Sequence, residues 1–277
     1  MRERLERLLG TDVARVHDLG SSHAWTLHRA SLGDGREVFV KAATAPSGGV
    51  FTAEAAGLRW LAAGPVPDVV AADERTIVLP WLPSAAPTPA AAERLGRELA
   101  ALHTTARPGT YGAPWQGFIA DLPLDNTPDD RAWPRWYAER RLAPFLPRAA
   151  PHLSRDDVRL VERVMDEAET LAGPSEPPSR IHGDLWSGNV LWTGDRALLV
   201  DPAAHGGHRE TDLAMLALFG TPLLDRILAA YDEAAPLADG RRARVPLHQL
   251  HPLLVHVALF GGSYRASLLD AARAALG

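Results

Sequence analysis

Hydrophobic and polar positions follow a strand-rich pattern in the N-terminal part of the chain. Apolar residues recur at helical spacing within residues 1–10, and two strand-like runs then flank the pair Asp34-Gly35, which is a hairpin signal. The stretch "VFTAEAAGLRWLAAG" has helical periodicity and ends at Gly64, and the strand patterns "DVVAAD" and "TIVLPWL" follow it. Residues 1–83 are therefore predicted to form a small antiparallel sheet with one inserted helix.

The pattern becomes helical after the proline-rich stretch "PSAAPTPAAA", which is typical of a boundary between lobes. Helical periodicity is present in "AAERLGRELAALHTTA", "AWPRWYAERRLAPFL", "SRDDVRLVERVMDEAETLAG", "TDLAMLALFG" and "LLVHVALFGGSYRASLLDAARAAL". Between these segments, only "RIHGDLWSGNVLWTGDRALLVDPA" has short strand patterns. We therefore predict an α+β protein of two lobes, the second of them mainly helical and formed by residues 84–277.

Composition narrows the class of protein. A chain of 277 residues is long enough for two lobes, and its net charge of -5 makes nucleic acid a poor main partner. The absence of cysteine excludes disulfide-linked partners and thiolate chemistry. No apolar run reaches the roughly 18 residues of a membrane span, and the charged N-terminus does not resemble a signal peptide. We expect a soluble, cytoplasmic protein that does not bind membranes.

The polar residues of "RIHGDLWSGNVLW" carry the strongest chemical signal. Asp184 and Asn189 have the D-x-x-x-x-N spacing of a kinase catalytic loop, and Asp201 ends the next strand. Phosphoryl transfer needs a carboxylate that accepts the proton of the attacking hydroxyl, a role that suits Asp184. Magnesium prefers oxygen ligands, which Asn189 and Asp201 offer. The alternative is a plain hairpin whose Asp and Asn side chains satisfy their own turn.

Two charged residues of the first lobe strengthen the kinase interpretation. Lys41 ends the strand "EVFVK", and Glu54 lies in the helix that follows. In kinases, a strand lysine paired with a helix glutamate anchors the nucleotide phosphates. Solvent-exposed charges are the commoner state of such residues. Because all these elements occur in the right order along the chain, we favour the kinase interpretation.

The motifs "HGDLWSGN", "DPAAHGGHRETDLAMLALFG", "WYAERRLAP" and "FTAEAAGL" together resemble the fructosamine-3-kinase (ketosamine kinase) family, within the aminoglycoside phosphotransferase-like group. The resemblance covers nearly the whole chain. It implies a two-lobed protein-kinase-like fold with ATP and Mg²⁺ as cofactors. It also implies phosphorylation of the sugar 3-hydroxyl of ketosamines, either small molecules or glycated protein lysines, after which the unstable product frees the amine.

The resemblance implies the same roles as the residues themselves do for the catalytic base Asp184, the magnesium ligands Asn189 and Asp201, and the phosphate-anchoring pair Lys41 and Glu54. It further implies that Asp212 braces the catalytic loop, although an acidic residue at the start of a helix also favours the helix dipole. His182 is expected to orient the loop by hydrogen bonding. Trp186 is a candidate for stacking on the sugar or, equally, a core residue.

The hinge between the lobes is expected at "IVLPWLP", where the Pro80 carbonyl would accept a hydrogen bond from adenine and the Leu82 amide would donate one. The family usually has an acidic residue at the position of Pro80. The phosphate loop is expected within "DLGSSHAWTLH", where Gly20, Ser21 and Ser22 would cover the phosphates without a G-x-G-x-x-G motif.

Several other polar segments have open interpretations. The spacings "HGGH" and "HQLH" suit zinc, but without a third ligand in view ordinary histidines are favoured. The acidic stretch "DLPLDNTPDD" is either a solvated loop or a receiver of a cationic amine. His208, Arg209 and Glu210 are candidates for substrate contacts, and a salt-bridged turn is at least as good an explanation.

Two other functions remain as alternatives to a ketosamine kinase. The first is a small-molecule kinase that acts on an aminoglycoside, choline or homoserine, and for an aminoglycoside a strongly acidic acceptor site is expected. The second is a nucleotide-binding pseudokinase, against which the complete set of Lys41, Asp184, Asn189 and Asp201 argues.

Overall fold

The N-terminal part of the computed structural model, which describes residues 1–22, 24–105 and 107–277, contains one sheet of five antiparallel strands. Its elements in chain order are α1 (Arg2–Leu9), β1 (Val13–Ser22), β2 (Trp25–Leu32), β3 (Glu37–Ala42), α2 (Val50–Trp60), β4 (Ala71–Asp73) and β5 (Thr76–Pro80). The strands lie in the order β1-β2-β3-β5-β4, so that β3 is central. The predicted small antiparallel sheet with one inserted helix is confirmed.

Local sequence explains the turns and faces of this sheet. Gly35 has a φ of +87° in the turn between β2 and β3, a conformation that glycine adopts without steric cost. Side chains alternate along β3, so that Val38 and Val40 pack on the side of α1 while Lys41 faces α2. The alternation along β3 therefore directs the Lys41 side chain toward α2 on the other face of the sheet.

The C-terminal part is mostly helical, as predicted. Its elements are α3 (Pro89–Thr105), β6 (Gly117–Ile119), β7 (Leu122–Leu124), α4 (Trp133–Tyr137), α5 (Leu146–Ala149), α6 (Arg155–Asp166), α7 (Ala168–Leu171), β8 (Ser179–Ile181), β9 (Val190–Trp192), β10 (Ala197–Leu199), β11 (His205–Gly207), α8 (Arg209–Leu218), α9 (Leu224–Ala234), α10 (Arg241–Phe260) and α11 (Arg265–Leu276). A π-helical turn, Ala138–Leu142, follows α4 directly. The predicted helix "AWPRWYAERRLAPFL" is therefore three short pieces.

Several elements differ from the sequence prediction, among them strand β1, whose C-terminal end was predicted to be the phosphate loop. The β6–β7 hairpin is a second interruption of the helices, with strands too short for a clear alternating pattern. Helix α9 was not predicted, although Ile227, Ala230 and Tyr231 give it a buried face at helical spacing. Helix α10 begins at Arg241, whereas the sequence pattern predicted a start near Leu253. The predicted start was too late because the helix contains two prolines, which normally break helices.

Two helix ends also need comment. Helix α2 ends at Trp60, a few residues before the predicted end at Gly64, and a turn joins the helix to that glycine. Ala106, the last residue of the predicted segment "AAERLGRELAALHTTA", lies outside the described residues. Over the described part of the chain, no helix combines the length and the apolar character that crossing a membrane requires.

The core of the C-terminal part packs against the predicted catalytic loop, residues 182–189. Leu95 and Leu99 of α3 pack with Ile227 and Tyr231 of α9, and the same cluster includes Leu185 of the loop itself. The loop runs from β8 to β9, with β8 paired to β11 and β9 paired to β10. Helix α8 follows β11 directly, so that its N-terminus lies beneath the loop.

Candidate active site

A cavity of about 670 Å³ lies between the sheet and the helical part of the chain. Its volume is within the range of about 300–1,000 Å³ that small-molecule sites occupy. Residues predicted for nucleotide, metal and catalysis line it together, namely Ser22, Lys41, Glu54, Pro80, Leu82, Asp184, Asn189 and Asp201. The structure therefore brings most of the sequence-predicted site into one cleft.

Lys41 joins the two sides of the cleft. Its ammonium nitrogen lies 2.6 Å from Glu54 of α2 and 2.6 Å from Asp201, while Lys41 and Glu54 are both buried. Burial disfavours the charge of Lys41, but the adjacent carboxylates of Asp201 and Glu54 outweigh it and raise its pKa. Lys41 is thus a permanent cation held in place by two carboxylates.

Asp201 has an unusual backbone conformation. Its φ is +57°, in the left-handed region that costs a non-glycine residue on the order of 1–3 kcal/mol. The side chain is 57% exposed and bonded to Lys41 by one oxygen. The surrounding protein disfavours the charge of this carboxylate, but the adjacent Lys41 ammonium outweighs that effect and lowers the pKa of Asp201, so that the carboxylate stays charged. This strained residue presents a charged oxygen to the cleft.

Hydrogen bonds within the catalytic loop fix Asp184 and Asn189 relative to each other. The Asn189 side-chain amide donates to the Asp184 carbonyl at 2.7 Å and to its carboxylate at 3.1 Å. Because the amide nitrogen is used in this way, Asn189 retains its oxygen as a ligand atom. Burial and the neighbouring Asp201 carboxylate raise the pKa of Asp184 to about 7, close to the value that favours a general base near neutral pH.

His182 holds the loop through both ring nitrogens. Its Nε2 lies 3.0 Å from the Val200 carbonyl, to which only a protonated nitrogen can donate, and its Nδ1 accepts from the Asp184 amide at 3.3 Å. Burial lowers its pKa and keeps the ring neutral, which this tautomer requires. The contacts are those of the orienting role predicted for His182.

Asp212, in the first turn of α8, lies beneath the loop with no exposed surface. Its two carboxylate oxygens accept from the backbone amides of His182 at 2.7 Å and Gly183 at 2.9 Å. His103 of α3 reaches the same carboxylate at 3.1 Å and contacts the Tyr231 hydroxyl at 2.9 Å with its other nitrogen. Sequence reasoning missed His103 and Tyr231, and a histidine and a tyrosine on separate helices carry no motif that would have found them.

The oxygens of Asn189 and Asp201 fit a magnesium ion by their chemistry. Both are hard oxygen donors that line the same cleft, and one is anionic. The Lys41 ammonium now bonded to Asp201 shows that this carboxylate attracts a cation. Phosphate oxygens and water would complete the coordination shell, as is usual for magnesium in phosphoryl-transfer sites.

Some of the residues predicted to contact the nucleotide line the cleft, and others do not. Pro80 ends β5, and both Pro80 and Leu82 line the cleft, as the hinge prediction requires. Gly20, Ser21 and Ser22 belong to β1 and pair with β2, so that this segment is the end of a hairpin. Ser22 lines the cleft, whereas Gly20 and Ser21 do not. His23, which is within the predicted phosphate loop, lies outside the described residues.

Trp186 lies at the opening of the cleft, two residues after Asp184. It is 39% exposed and contacts the Phe219 ring edge-on at a centroid distance of 6.4 Å. The ring is therefore not a core residue. Its position beside Asp184 stays compatible with the predicted stacking on a sugar.

His208 and Glu210 do not line the cleft, which argues against the predicted substrate contacts. Both are buried, and Glu210 forms hydrogen bonds at 2.9 Å and 2.5 Å with Arg244 of α10. His208 caps α8 by accepting from the Glu210 amide, and Arg209 pairs with Glu176 at 2.6 Å. The salt-bridged turn that sequence analysis offered as the alternative describes these three residues.

The fold supplies the third zinc ligand that the histidine pairs lacked in sequence. His208, Glu210 and His248 come together, with their ligand atoms within 4.8 Å of one another. Both Glu210 oxygens, however, accept hydrogen bonds from Arg244, whose positive charge occupies the place that a metal would take. Ordinary buried histidines remain the better description.

Solved structures with the same architecture identify the class of protein. The crystal structure of a proposed fructosamine-3-kinase from Thermobifida fusca is 56% identical, with a TM-score of 0.96 over 100% of this chain and 98% of that one. An aminoglycoside phosphotransferase in complex with ADP and hygromycin B has a TM-score of 0.70 at 16% identity, over 100% and 99% of the two chains. The fold and the cleft define an ATP-dependent phosphotransferase of the protein-kinase-like class.

Sequence relatives narrow this class to a family. The fructosamine kinase family model matches residues 10–276. A probable ketoamine kinase of Thermus thermophilus is 35% identical, with 83% of this chain and 84% of the relative covered, and the probable ketoamine kinase YniA of Escherichia coli is 33% identical, with 88% and 86% covered. The chain belongs to the fructosamine kinase family.

Proposed function

We propose that this kinase transfers the γ-phosphate of magnesium-bound ATP to the 3-hydroxyl of ketosamines, as a repair step for glycated small amines or glycated protein lysines. The observation that carries the proposal is the meeting of Lys41, Asp184, Asn189 and Asp201 in one cleft of a fructosamine kinase family member. Phosphate on O3 is a better leaving group than hydroxyl, so that the phosphorylated adduct breaks down and frees the amine.

Asp184 acts as the base in this proposal. It holds the acceptor hydroxyl and takes its proton while the hydroxyl oxygen bonds to the γ-phosphorus and the bond from phosphorus to the ADP oxygen breaks. Asn189 supports Asp184 through the 3.1 Å hydrogen bond to its carboxylate. His182 and Asp212 keep the loop in position, through the contacts described above. Trp186 is the side chain on which we propose that the sugar stacks.

Charge on the phosphates is balanced by the other cleft residues. Lys41, oriented by Glu54, would contact the phosphate oxygens, and the oxygens of Asn189 and Asp201 would hold the magnesium. When bound, magnesium neutralises phosphate charge as it builds up on the leaving oxygen. The Pro80 carbonyl and the Leu82 amide hydrogen-bond the adenine, and Ser22 faces the phosphates. Of the predicted phosphate-loop residues, Gly20 and Ser21 lie off the cleft lining and have the weakest support.

We also propose that the functional lobes are residues 1–83, which bind nucleotide, and residues 84–277, which carry catalysis and the acceptor. All five strands of the sheet end by Pro80. Just beyond the proposed boundary, the Ala85 amide donates to the Trp192 carbonyl at 2.8 Å, which attaches this segment to β9 of the second lobe.

A substrate panel tests the proposal. Purified protein with magnesium-ATP is offered fructosamine and ribulosamine adducts of Nα-acetyl-lysine, a glycated protein, an aminoglycoside, choline and homoserine, and ADP release and free amine are followed. We expect turnover on the ketosamines, with free amine appearing after phosphorylation. Turnover confined to the aminoglycoside, choline or homoserine would reject the ketosamine proposal, and ATP binding without any turnover would favour a pseudokinase.

A further inference from the structure

Five aromatic rings form a continuous group at the opening of the cleft, which we call the aromatic cluster. It consists of Trp186, Phe219, His256, Phe260 and Tyr264. The His256 ring is central, with centroid distances of 4.9 Å to Phe219, 5.5 Å to Phe260 and 4.8 Å to Tyr264. Trp186 joins the group through Phe219. The cluster thus connects the catalytic loop with the end of α10.

The cluster is open to solvent on its cleft side. Trp186, His256 and Phe260 line the cleft, and Phe260 is 54% exposed. Among the described residues, the large hydrophobic side chains that are exposed are Met1, Leu19, Trp186 and Phe260, and three of these four line this cleft. Apolar surface concentrated at one concave site marks a place where a ligand binds.

Negative charge is concentrated elsewhere in the cleft. The carboxylates among the described lining residues are Glu54, Asp184 and Asp201, and each has a place in the nucleotide and catalytic machinery. Two of the aspartates in the acidic stretch predicted as a possible receiver of a cationic amine pair with arginines that follow it, and the first of them, Asp125, contacts Arg140 at 2.5 Å. In the same stretch, Asp129 is bound by Arg131. Among the described lining residues, the groups left for the amine of a ketosamine are therefore aromatic rings and not a further carboxylate.

The position of Trp186 is built into the loop. A Cβ atom at Gly188 would lie 2.2 Å from the Trp186 ring, so that glycine is required for the ring to lie across the loop. His256 is fixed as well, because its Nδ1 donates to the Pro252 carbonyl at 2.7 Å. Burial lowers the pKa of His256, which keeps the ring neutral and avoids repulsion of a nearby ammonium group.

We propose that the aromatic cluster receives the amine substituent of the ketosamine and selects adducts of apolar or aromatic amines. This inference rests on the proposed ketosamine kinase function. With the sugar on Trp186 and its hydroxyl at Asp184, the Phe260 ring offers a face for the protonated amine through cation–π attraction, and Phe260 and His256 offer apolar contact for its substituent. Specificity for the amine is thereby assigned to the end of α10.

The test compares fructosamine adducts of phenethylamine, butylamine and methylamine as substrates. We expect kcat/KM to be about tenfold higher for the phenethylamine adduct than for the methylamine adduct, a usual effect of filling an apolar pocket. In Phe260→Ala this ratio should fall to about two, and in Phe260→Leu, which keeps an apolar side chain, it should lie between. Because Phe260 is largely exposed, both variants are expected to fold.

Asp121→Asn is the matched control. Asp121 is exposed in the turn between β6 and β7 and directly follows Ala120, which lines the cleft. It is therefore a carboxylate that could bind the amine in place of the aromatic cluster. We expect this variant to retain the wild-type ratio. A ratio near one in the wild type, or a ratio that depends on Asp121 and not on Phe260, would overturn the inference while the kinase function stands. Absence of turnover on every ketosamine would instead overturn the proposed function itself.

Discussion

Glu210 and Asp212 lie two residues apart on α8, and their surroundings differ in one decisive way. Both are buried, both carry charge, and both contact histidine. Residues two apart on a helix point in directions about 200° apart. Asp212 therefore faces the catalytic loop, whereas Glu210 faces Arg244 of α10.

Whether a buried carboxylate affects turnover or stability therefore depends on the groups that it contacts. Asp212 holds two amides of a loop that opens on a cleft of substrate size. Glu210 and Arg244 satisfy each other inside the helical core, and neither is among the described residues that line the cleft with Asp184. Substitutions at the first site should act on turnover, and those at the second on stability.

The largest effect is expected for Asp184→Asn, in the loop that Asp212 holds. Removing the base should lower kcat by about a thousandfold or more, within the usual contribution of general-base catalysis combined with positioning. Nucleotide affinity should change little, because Lys41 and Glu54 are untouched. Steady-state kinetics and calorimetric titration with ATP measure the two quantities. A variant that retains its kcat would show that Asp184 is not the base.

The second prediction concerns the buried ion pair of Glu210 with Arg244. Glu210→Gln removes one charge of a buried ion pair and should lower the free energy of unfolding by about 3 kcal/mol. At a temperature at which the protein is folded, kcat should stay within about threefold of the wild type, a difference of under 1 kcal/mol in barrier height. Urea unfolding and kinetics on the same preparation measure both.

A double variant provides the control for Glu210. Glu210→Leu combined with Arg244→Met replaces the pair by apolar side chains and should recover most of the lost stability. If Glu210→Gln instead reduces kcat strongly at unchanged stability, then Glu210 takes part in catalysis and the contrast with Asp212 is wrong.

A smaller effect is predicted for Asp212→Asn. The amide can accept from only one of the two loop amides, so that the loop should lose its position and kcat should fall by about 30-fold, as expected when reacting groups are displaced by less than 1 Å. Nucleotide affinity should be retained. A loss of stability without a loss of kcat would place Asp212 in the same category as Glu210.

The smallest effect per residue is a dependence of stability on pH. Burial holds the pKa values of His205, His208 and His251 well below the ordinary 6.5. As pH falls below 6.5, the unfolded chain binds protons that the folded protein does not, so stability decreases by about 1.4 kcal/mol per pH unit for each such histidine. Urea unfolding between pH 7.5 and 5.5 measures this slope.

Substitution of single histidines checks the cause of that slope. His251→Leu should reduce the slope by the share of one histidine. Equal slopes in wild type and His251→Leu would mean that other groups determine the pH dependence.

Sequence was sufficient for the parts of this molecule that depend on local order. The sheet, its hairpin at Gly35 and the meeting of Lys41 with Glu54 follow from alternation along β3 and the position of α2. The catalytic loop follows from the spacing of Asp184 and Asn189. These features need only short stretches of chain and their order.

Features that depend on distant packing escaped sequence reasoning. His103 and Asp212 are 109 residues apart, and their contact exists only because α3 and α8 both lie under the loop. His208 and Glu210 closely follow Asp201 in sequence, which made them candidates for substrate contacts beside the alternative of a salt-bridged turn. The direction of helix α8 turns both away from the cleft, which no local pattern specifies.

The position of phosphate on the product tests the central claim most directly. The fructosamine adduct of Nα-acetyl-lysine is incubated with magnesium-ATP and the protein, and proton–phosphorus correlation NMR identifies the phosphorylated carbon. The account predicts phosphorus coupled to the proton on carbon 3 of the sugar, and no such product with Asp184→Asn. Phosphate on another sugar carbon, or unchanged product formation by the Asp184 variant, would contradict it.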